Sequence, residues 1–377
     1  MTLHRIEAKS ILIKRQRIDS WFVARYGLNI YRGCVHACTY CDGRNEKYRV
    51  EGDFGTDVVA KINAPVLLER ALDCNGRRKP LKPSFVFLGG GVGDSYQPAE
   101  LDLGLTRQCL EVLERAGWPV CVLTKSSLVE RDLDVLDRID RRRRCLVCTS
   151  LSSANDDVSS QFEPGASPPS ARLAALRKAK QRGLATGVYL MPIIPFVTDS
   201  AESLAQTMER IRETGADFVV FGGMTLKAGR QRQHFLEKLS QYLPGAIQPY
   251  RQLYREGCYN GWGHATESYC RALDERCARI AKEHGLPCRI PPRLYRDVLE
   301  KDDLVQVVLE QLDYCLRVRH QQSSPFGRAA FLLSRSSAPL NTTLAFPDNP
   351  EAVTPAVEEV IREVLRTGTS SQLESLL

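Results

Sequence analysis

No run of apolar residues in this chain is long enough to cross a bilayer, and its first residues, MTLHRIEAKSILIKRQR, are basic and broken by charges rather than shaped like the apolar centre of a secretion signal. Those absences set aside the membrane and secreted classes. They lead us to expect a cytoplasmic protein with reduced thiols. There is no disulfide framework either: the 13 cysteines are an odd number and are scattered along the chain. No repeat is found beyond an alternation of strand-like and helix-like stretches. Charge of one sign does not dominate, since the net charge of +7 is mild for 377 residues. It permits a nucleic-acid partner without requiring one. With 43% hydrophobic residues, the chain can bury a large α/β core and carry extensions.

Against these absences stands one dense feature. The segment GLNIYRGCVHACTYCDGR holds Cys34, Cys38 and Cys41 in the spacing CxxxCxxC, with Tyr40 directly before the third. No fourth cysteine lies nearby. Three thiolates on one short loop can hold three corners of a [4Fe–4S] cluster, whereas clusters used only for electron transfer usually take four cysteines. Three leave one iron open. A zinc site formed by Cys34, His36, Cys38 and Cys41 is the competing reading, but the four would be very tightly packed and no second knuckle follows. Three ordinary buried cysteines are the other alternative. His36 reads as a shaping residue rather than a ligand. The cysteine spacing and the aromatic residue resemble the signature of the radical S-adenosylmethionine (radical SAM) superfamily. That resemblance implies that the open iron chelates the amino and carboxylate groups of SAM.

From about residue 60, short apolar runs alternate with amphipathic stretches. Strands are expected at 84–88, 118–124, 145–151, 186–194 and 216–223, and helices at 66–72, 98–117, 128–139, 171–183 and 200–215. Strands that are apolar throughout rather than alternating point to a parallel sheet buried on both faces. Counting a strand before the cysteine loop gives about six βα units over residues 21–225, too few for a closed eight-fold barrel. The expected fold is therefore α/β, an incomplete (β/α)6 TIM-like barrel of the radical SAM type with a mainly helical C-terminal extension. Residues 1–20 read as an N-terminal extension and 226–318 as mainly helical. Residues 319–377 read as a loosely packed tail with one amphipathic helix, at 355–368.

Ligands of parallel sheets gather at the carboxyl ends of the strands. Those ends carry the cysteine loop, then Gly89, Gly90 and Gly91 in GGGVGDSYQPAE, then Lys125, then Ser150 and Ser152. The glycines allow close backbone approach or simply make a turn. The hydroxyls suit ribose or a carboxylate, or cap helices. Glu163 and Arg172 add a carboxylate and a guanidinium, the latter suited to clamping a carboxylate. By resemblance, the glycine segment would receive the SAM amino group, and Tyr40, Lys125, Ser150, Ser152 and Arg172 would join it around the cofactor. The Arg141–Arg144 run lies at the amino end of a strand and reads as a solvated face. Cys258, Cys270, Cys277 and Cys288 lack a CxxC pair and read as core residues rather than a second cluster. Cys145 and Cys148 do form a CxxC, but inside a strand their side chains face opposite sides.

Taken together, NIYRGCVHACTYC, GDSYQPAE, TKSS, Glu163-Pro164 with Arg172, and MPIIPFVTD resemble the DNA-repair-photolyase-related branch of radical SAM proteins, which includes the spore photoproduct lyases, over residues 8–225. Two features depart from that group. Its tyrosine after the third cluster cysteine is Asp42 here, and its hydrogen-donor cysteine has no counterpart among Phe87, Leu88, Gly89, Gly90 and Gly91. The resemblance thus carries over the cluster, SAM and the 5′-deoxyadenosyl radical that abstracts a substrate hydrogen, but not the lesion. It implies an electron donor such as a flavodoxin or ferredoxin and a monomer. Nucleic acid or a nucleobase is the favoured substrate. A peptide or small-metabolite substrate, and a non-catalytic iron–sulfur or zinc protein, are the alternatives.

Overall fold

A computed structural model describes residues 1–48, 50, 52–73, 80–89, 93–255, 262–320, 324–335 and 353–377. The chain opens with β1 (Thr2–Ile6), β2 (Leu12–Asp19), β3 (Ala24–Leu28) and the short β4 (Tyr31–Arg32), which leads into the cysteine loop. Next come β5 (Asp57–Lys61) and α1 (Ala64–Leu72). β6 (Phe85–Leu88) precedes α2 (Ala99–Leu103) and α3 (Leu105–Arg115), and β7 (Val120–Thr124) precedes α4 (Leu133–Arg142). β8 (Cys145–Leu151) precedes α5 (Asp156–Phe162) and α6 (Pro169–Gln181), and β9 (Ala185–Ile193) precedes α7 (Ala201–Arg212). After β10 (Phe218–Gly223) the described elements are helical: α8 (Arg230–Tyr242), α9 (Ile247–Leu253), α10 (Glu267–Glu283), α11 (Lys301–His320), α12 (Pro325–Leu333), α13 (Pro355–Thr367) and α14 (Ser371–Leu376).

The main sheet runs β10-β9-β8-β7-β6-β3-β2 and curls into a half-barrel. Six of its strands are parallel, and β2 joins antiparallel at one edge. The two edge strands do not meet, so the barrel is open, as the count of βα units predicts. β1 and β4 flank β5 in a separate small sheet beside the cysteine loop.

Every residue of β6, β7 and β8 is buried, which explains their uninterrupted apolar sequences. Val86, Leu88, Val120, Val122, Cys145 and Val147 face one way and pack with residues of α1, α3 and α4. Their neighbours Phe85, Phe87, Cys121, Leu123, Leu146 and Cys148 face the other way. Cys145 and Cys148 therefore lie in different cores, as strand alternation requires. On that second, inner face the sheet shares one core with Val305, Val308, Leu309 and Leu312 of α11 and with Val357, Ile361 and Val364 of α13. The C-terminal helices thus fill the open side that a closed barrel would fill with its own strands.

Three differences from the sequence reading have local causes. The helix expected over 98–117 is two helices, because Gly104 adopts φ 58° and ends the first with a left-handed cap. The stretch 128–139 begins as a 3₁₀ turn over Ser127–Asp132, capped by the Ser126 hydroxyl, before α4 takes over. Among the described residues of 319–377 there are three helices rather than one, and Phe326, Ala329, Val357, Ile361 and Leu373 are buried in the inner core. The apolar stripe of α13 predicts a helix but not the surface that covers it.

Candidate functional site: the cysteine loop and the rim above the parallel strands

The cysteine loop is held by backbone turns in which Ala37 N–H donates to Cys34 C=O and Cys41 N–H to Cys38 C=O, each at 3.3 Å. Gly33 adopts φ 80°, and a Cβ there would collide with the Asp57 carbonyl. Gln97, fully buried, grips the loop at two points: it accepts from Val35 N–H and donates to the Gly33 carbonyl, both at 3.2 Å. Arg44 donates to the carbonyls of Cys38 at 3.0 Å and Ala37 at 2.9 Å. Cys34 and Cys38 are buried and Cys41 is half-buried. Burial pushes the Cys38 thiol up to about 12 and raises those of Cys34 and Cys41 as well. Such thiols keep their protons until a metal displaces them.

Above the loop lies a buried polar group. The Tyr40 hydroxyl donates to Glu163, and Arg172 donates to the other Glu163 oxygen. Lys125 Nζ donates to Glu163 Oε1 and to Ser150 Oγ, each at 3.0 Å. Ser159 Oγ donates to Glu163 Oε2 at 3.0 Å. Burial alone would raise the Glu163 carboxyl. Lys125 and Arg172, with hydrogen bonds from Tyr40 and Arg172, outweigh it and hold the group below the usual carboxylate range.

Tyr40, Lys125, Ser150, Ser152 and Arg172 are therefore gathered at one rim, but their roles differ from the sequence reading. Arg172 is not open to a ligand. Its side chain is 0% exposed and is occupied by Glu163, the Ser150 carbonyl at 2.7 Å and the Ser167 carbonyl at 2.5 Å. Lys125 remains 15% exposed. Ser152 is buried and its Oγ has no hydrogen-bond partner, as is also true of Thr39 Oγ1 inside the cysteine loop. Gly89 at φ 154° is needed because a Cβ would strike the Leu123 carbonyl, so its demand for glycine comes from the neighbouring strand. Gly90 and Gly91 lie outside the described residues, as does Cys258.

Several residues here take roles that the sequence reading does not assign. Asp94 ties three strand ends together. It accepts from Thr124 Oγ1 at 2.7 Å, Lys125 N–H at 2.9 Å and Tyr96 N–H at 2.8 Å, and faces His36 Nδ1 at 3.5 Å. Its place in the glycine-rich segment after the second parallel strand is the one available clue. Asp42, Lys227 and Gln231 form a second group: Lys227 Nζ donates to Asp42 at 2.5 Å, and Gln231 Nε2 to Asp42 at 2.9 Å and to the Tyr40 carbonyl at 2.8 Å. No motif marks Lys227 or Gln231, which are brought to the loop only by the turn after β10. Among the described residues, no three His, Cys, Asp or Glu side chains form a group that could hold a single metal ion. Cys270, Cys277 and Cys288 likewise form no such group. Arg141, Arg142 and Arg144 are paired with Asp137, Glu114 and Asp297.

Comparison with known proteins places this arrangement. Residues 28–211 match the family model of the Radical SAM superfamily. An uncharacterized protein of Mycobacterium tuberculosis (strain ATCC 25618 / H37Rv) is 33% identical over 290 residues, covering 76% of this chain and 82% of the relative. Another, of Methanocaldococcus jannaschii, is 29% identical over 216 residues, covering 57% of this chain and 76% of the relative. Among solved structures, a spore photoproduct lyase variant with bound AdoMet and dinucleoside spore photoproduct matches with a TM-score of 0.54 at 18% identity, covering 75% of this chain and 79% of that one. At that identity the likeness speaks to the fold. The chain belongs to the radical SAM superfamily and is an enzyme of the radical SAM type.

Proposed function

We propose that Cys34, Cys38 and Cys41 hold a [4Fe–4S] cluster whose fourth iron binds SAM, and that the enzyme abstracts a hydrogen from a nucleic acid or nucleobase. The superfamily implies both cofactors. The observation that carries the reading is the three-thiol loop joined through Tyr40 to a buried polar group at the strand ends, with no fourth cysteine near it in the sequence. The donor set fits: three soft thiols sit on a loop fixed by Gln97 and Arg44, and two buried hydroxyls, Ser152 Oγ and Thr39 Oγ1, lack a partner. Bound together, the cluster and SAM supply a one-electron cleavage that yields methionine and a hydrogen-abstracting 5′-deoxyadenosyl radical.

The chain's own residues bind and orient. Glu163 fixes the Tyr40 ring and the Lys125 ammonium from below, and Arg172 fixes Glu163. Lys125 uses two of its three N–H groups in the described bonds, so it, rather than Arg172, is the cation left to receive a carboxylate. Ser152 Oγ suits a ribose hydroxyl or the same carboxylate. A one-electron donor is required, and we assign that part to a flavodoxin or ferredoxin. The nucleic-acid assignment draws support from the mild positive charge and from the lyase structures of this fold, one of which is complexed with a dinucleoside spore photoproduct. Action on that photoproduct itself is not proposed, because β6 and the glycines that follow it in sequence, Phe85 to Gly91, carry no cysteine of their own.

The test uses anaerobically reconstituted protein with SAM and dithionite, reading 5′-deoxyadenosine. Wild type is expected to form it, and a variant with Cys34, Cys38 and Cys41 all changed to Ala is expected to form none and to bind no iron. A protein carrying about four irons that leaves SAM intact would overturn the proposal.

A further inference from the structure

A second cavity, of roughly 530 Å³, lies beside this rim, between the ends of β9 and β10 and helices α10 and α11. Its size is that of a small-molecule site. Met191 connects the two places. It lines the cavity, and its carbonyl accepts from Ser150 Oγ at 3.0 Å, the same hydroxyl that receives Lys125. The cavity is therefore one strand away from Ser150, which in turn holds Lys125 Nζ.

Its wall carries a guanidinium whose position is already fixed. Arg289 is 3% exposed, and its Cζ lies 4.7 Å from the Trp21 ring centre and 3.2 Å from that of Tyr314. Nη1 donates to the Cys288 carbonyl at 2.8 Å, while Nη2 has no hydrogen-bond partner. A buried cationic donor left in this state is costly unless a ligand completes it, and an anion is the group that does so best. Trp21, which also lines the cavity, remains 38% exposed. A fixed guanidinium over one face of a partly exposed indole matches a ligand that joins an anionic group to a flat ring.

Resting on the radical SAM reading above, we propose that this cavity is the substrate pocket and takes a nucleotide unit, with its phosphate held by Arg289 and its base against Trp21. Binding next to Met191 places the sugar and base one strand from Ser150 and two from Lys125, on the side where the hydrogen is abstracted. Three carboxylates also line the cavity: Asp313 is paired with Arg317, Glu310 accepts from Gln306 Nε2, and burial pushes the Asp274 carboxyl up to about 6 against the pull of Arg289 and Arg317.

The experiment is equilibrium binding of thymidine 5′-monophosphate and adenosine 5′-monophosphate to the reconstituted full chain at fixed low salt. Inorganic phosphate and an N-acetyl dipeptide are the comparison ligands. Arg289→Gln is expected to weaken nucleotide binding by roughly tenfold or more, with Arg289→Lys in between because it keeps charge but loses the planar fork. Trp21→Leu is expected to weaken nucleotide binding about fivefold or more, and to weaken it more than binding of inorganic phosphate, which has no ring to stack. Thermal melting establishes that each variant is folded. If Arg289→Gln does not fold, Trp21→Leu and Arg289→Lys decide. Absence of nucleotide binding by wild type, equal binding by folded variants, or an Arg289-dependent preference for the dipeptide would each overturn the assignment. Formation of 5′-deoxyadenosine by wild type separates the two readings: SAM cleavage without nucleotide binding removes the pocket assignment alone, and no cleavage removes both.

Discussion

Glu163 illustrates how much of the rim depends on one side chain. It is fully buried and serves Tyr40, Lys125, Ser159 and Arg172 at once. Glu163→Gln should lower stability by about 3–5 kcal/mol, because it leaves Arg172 buried without its counter-charge. Urea denaturation of the cluster-free chain at pH 7 reads this directly, and a change within about 0.5 kcal/mol of wild type would show that Glu163 does not anchor the rim. The pH dependence has a definite sign. The folded carboxyl titrates below its unfolded value of about 4.3, so its contribution is complete above that value and is lost as pH falls below it. The Gln variant should therefore lose less stability than wild type between about pH 5 and pH 3. Asp42 is the contrasting case. It is 37% exposed in its pair with Lys227, so Asp42→Asn should cost about 1 kcal/mol or less in the same assay.

At the scale of elements, the cysteine loop is shaped mostly by what presses on it. Gly165, just after Glu163, donates its N–H to the His36 carbonyl at 2.9 Å, and a Cβ at 165 would collide with the Val35 carbonyl. The obstacle is backbone, so it has no rotamer in which to escape. Gly165→Ala is expected to shift the loop and cut iron retention after reconstitution by about half or more, while far-ultraviolet circular dichroism stays that of wild type. Full iron loading of the Ala variant would show that the loop is more compliant than its packing suggests. Gly104 acts differently: its positive φ separates α2 from α3, and the break turns Glu100 inward, where it accepts from the Tyr31 hydroxyl at 2.5 Å and from Thr106 N–H at 2.9 Å.

For the whole molecule, the barrel sheet and the C-terminal helices share one core. Arg25 of β3 pairs with Asp303 of α11, and Leu309 of α11 is fully buried in the same cluster as Phe87 of β6. The chain is therefore expected to unfold in one transition. Leu309→Ala should cost about 2–5 kcal/mol and lower the melting of the barrel with that of the helices. Two resolved thermal transitions, with only one moved by Leu309→Ala, would show that the helical region is a separate unit. The inner-face packing also governs the site above it, since Tyr189 of β9, in the same core, donates to the Trp21 carbonyl at 2.7 Å and so helps hold the indole at the cavity wall.

Features dictated by local chemistry are legible in the residues alone. CxxxCxxC needs no partner to be read, because three thiols within eight residues leave few uses. Strands buried on both faces announce themselves as unbroken apolar runs, which is why 145–151 is a strand with the bounds expected from its residues. The rule that parallel sheets bind ligands at their carboxyl ends puts Lys125, Ser150 and Ser152 at the rim. How those side chains are partnered is a matter of packing between distant segments. Arg172 reads as a ligand clamp in the sequence, and is consumed by Glu163 and two carbonyls because α6 packs it beneath the rim. Lys227, Gln231 and Arg289 carry no local pattern. They act through contacts with residues far away in sequence, Asp42, Tyr40, Trp21 and Tyr314 among them, and those meetings are set by how the helices after β10 fold back over an open sheet.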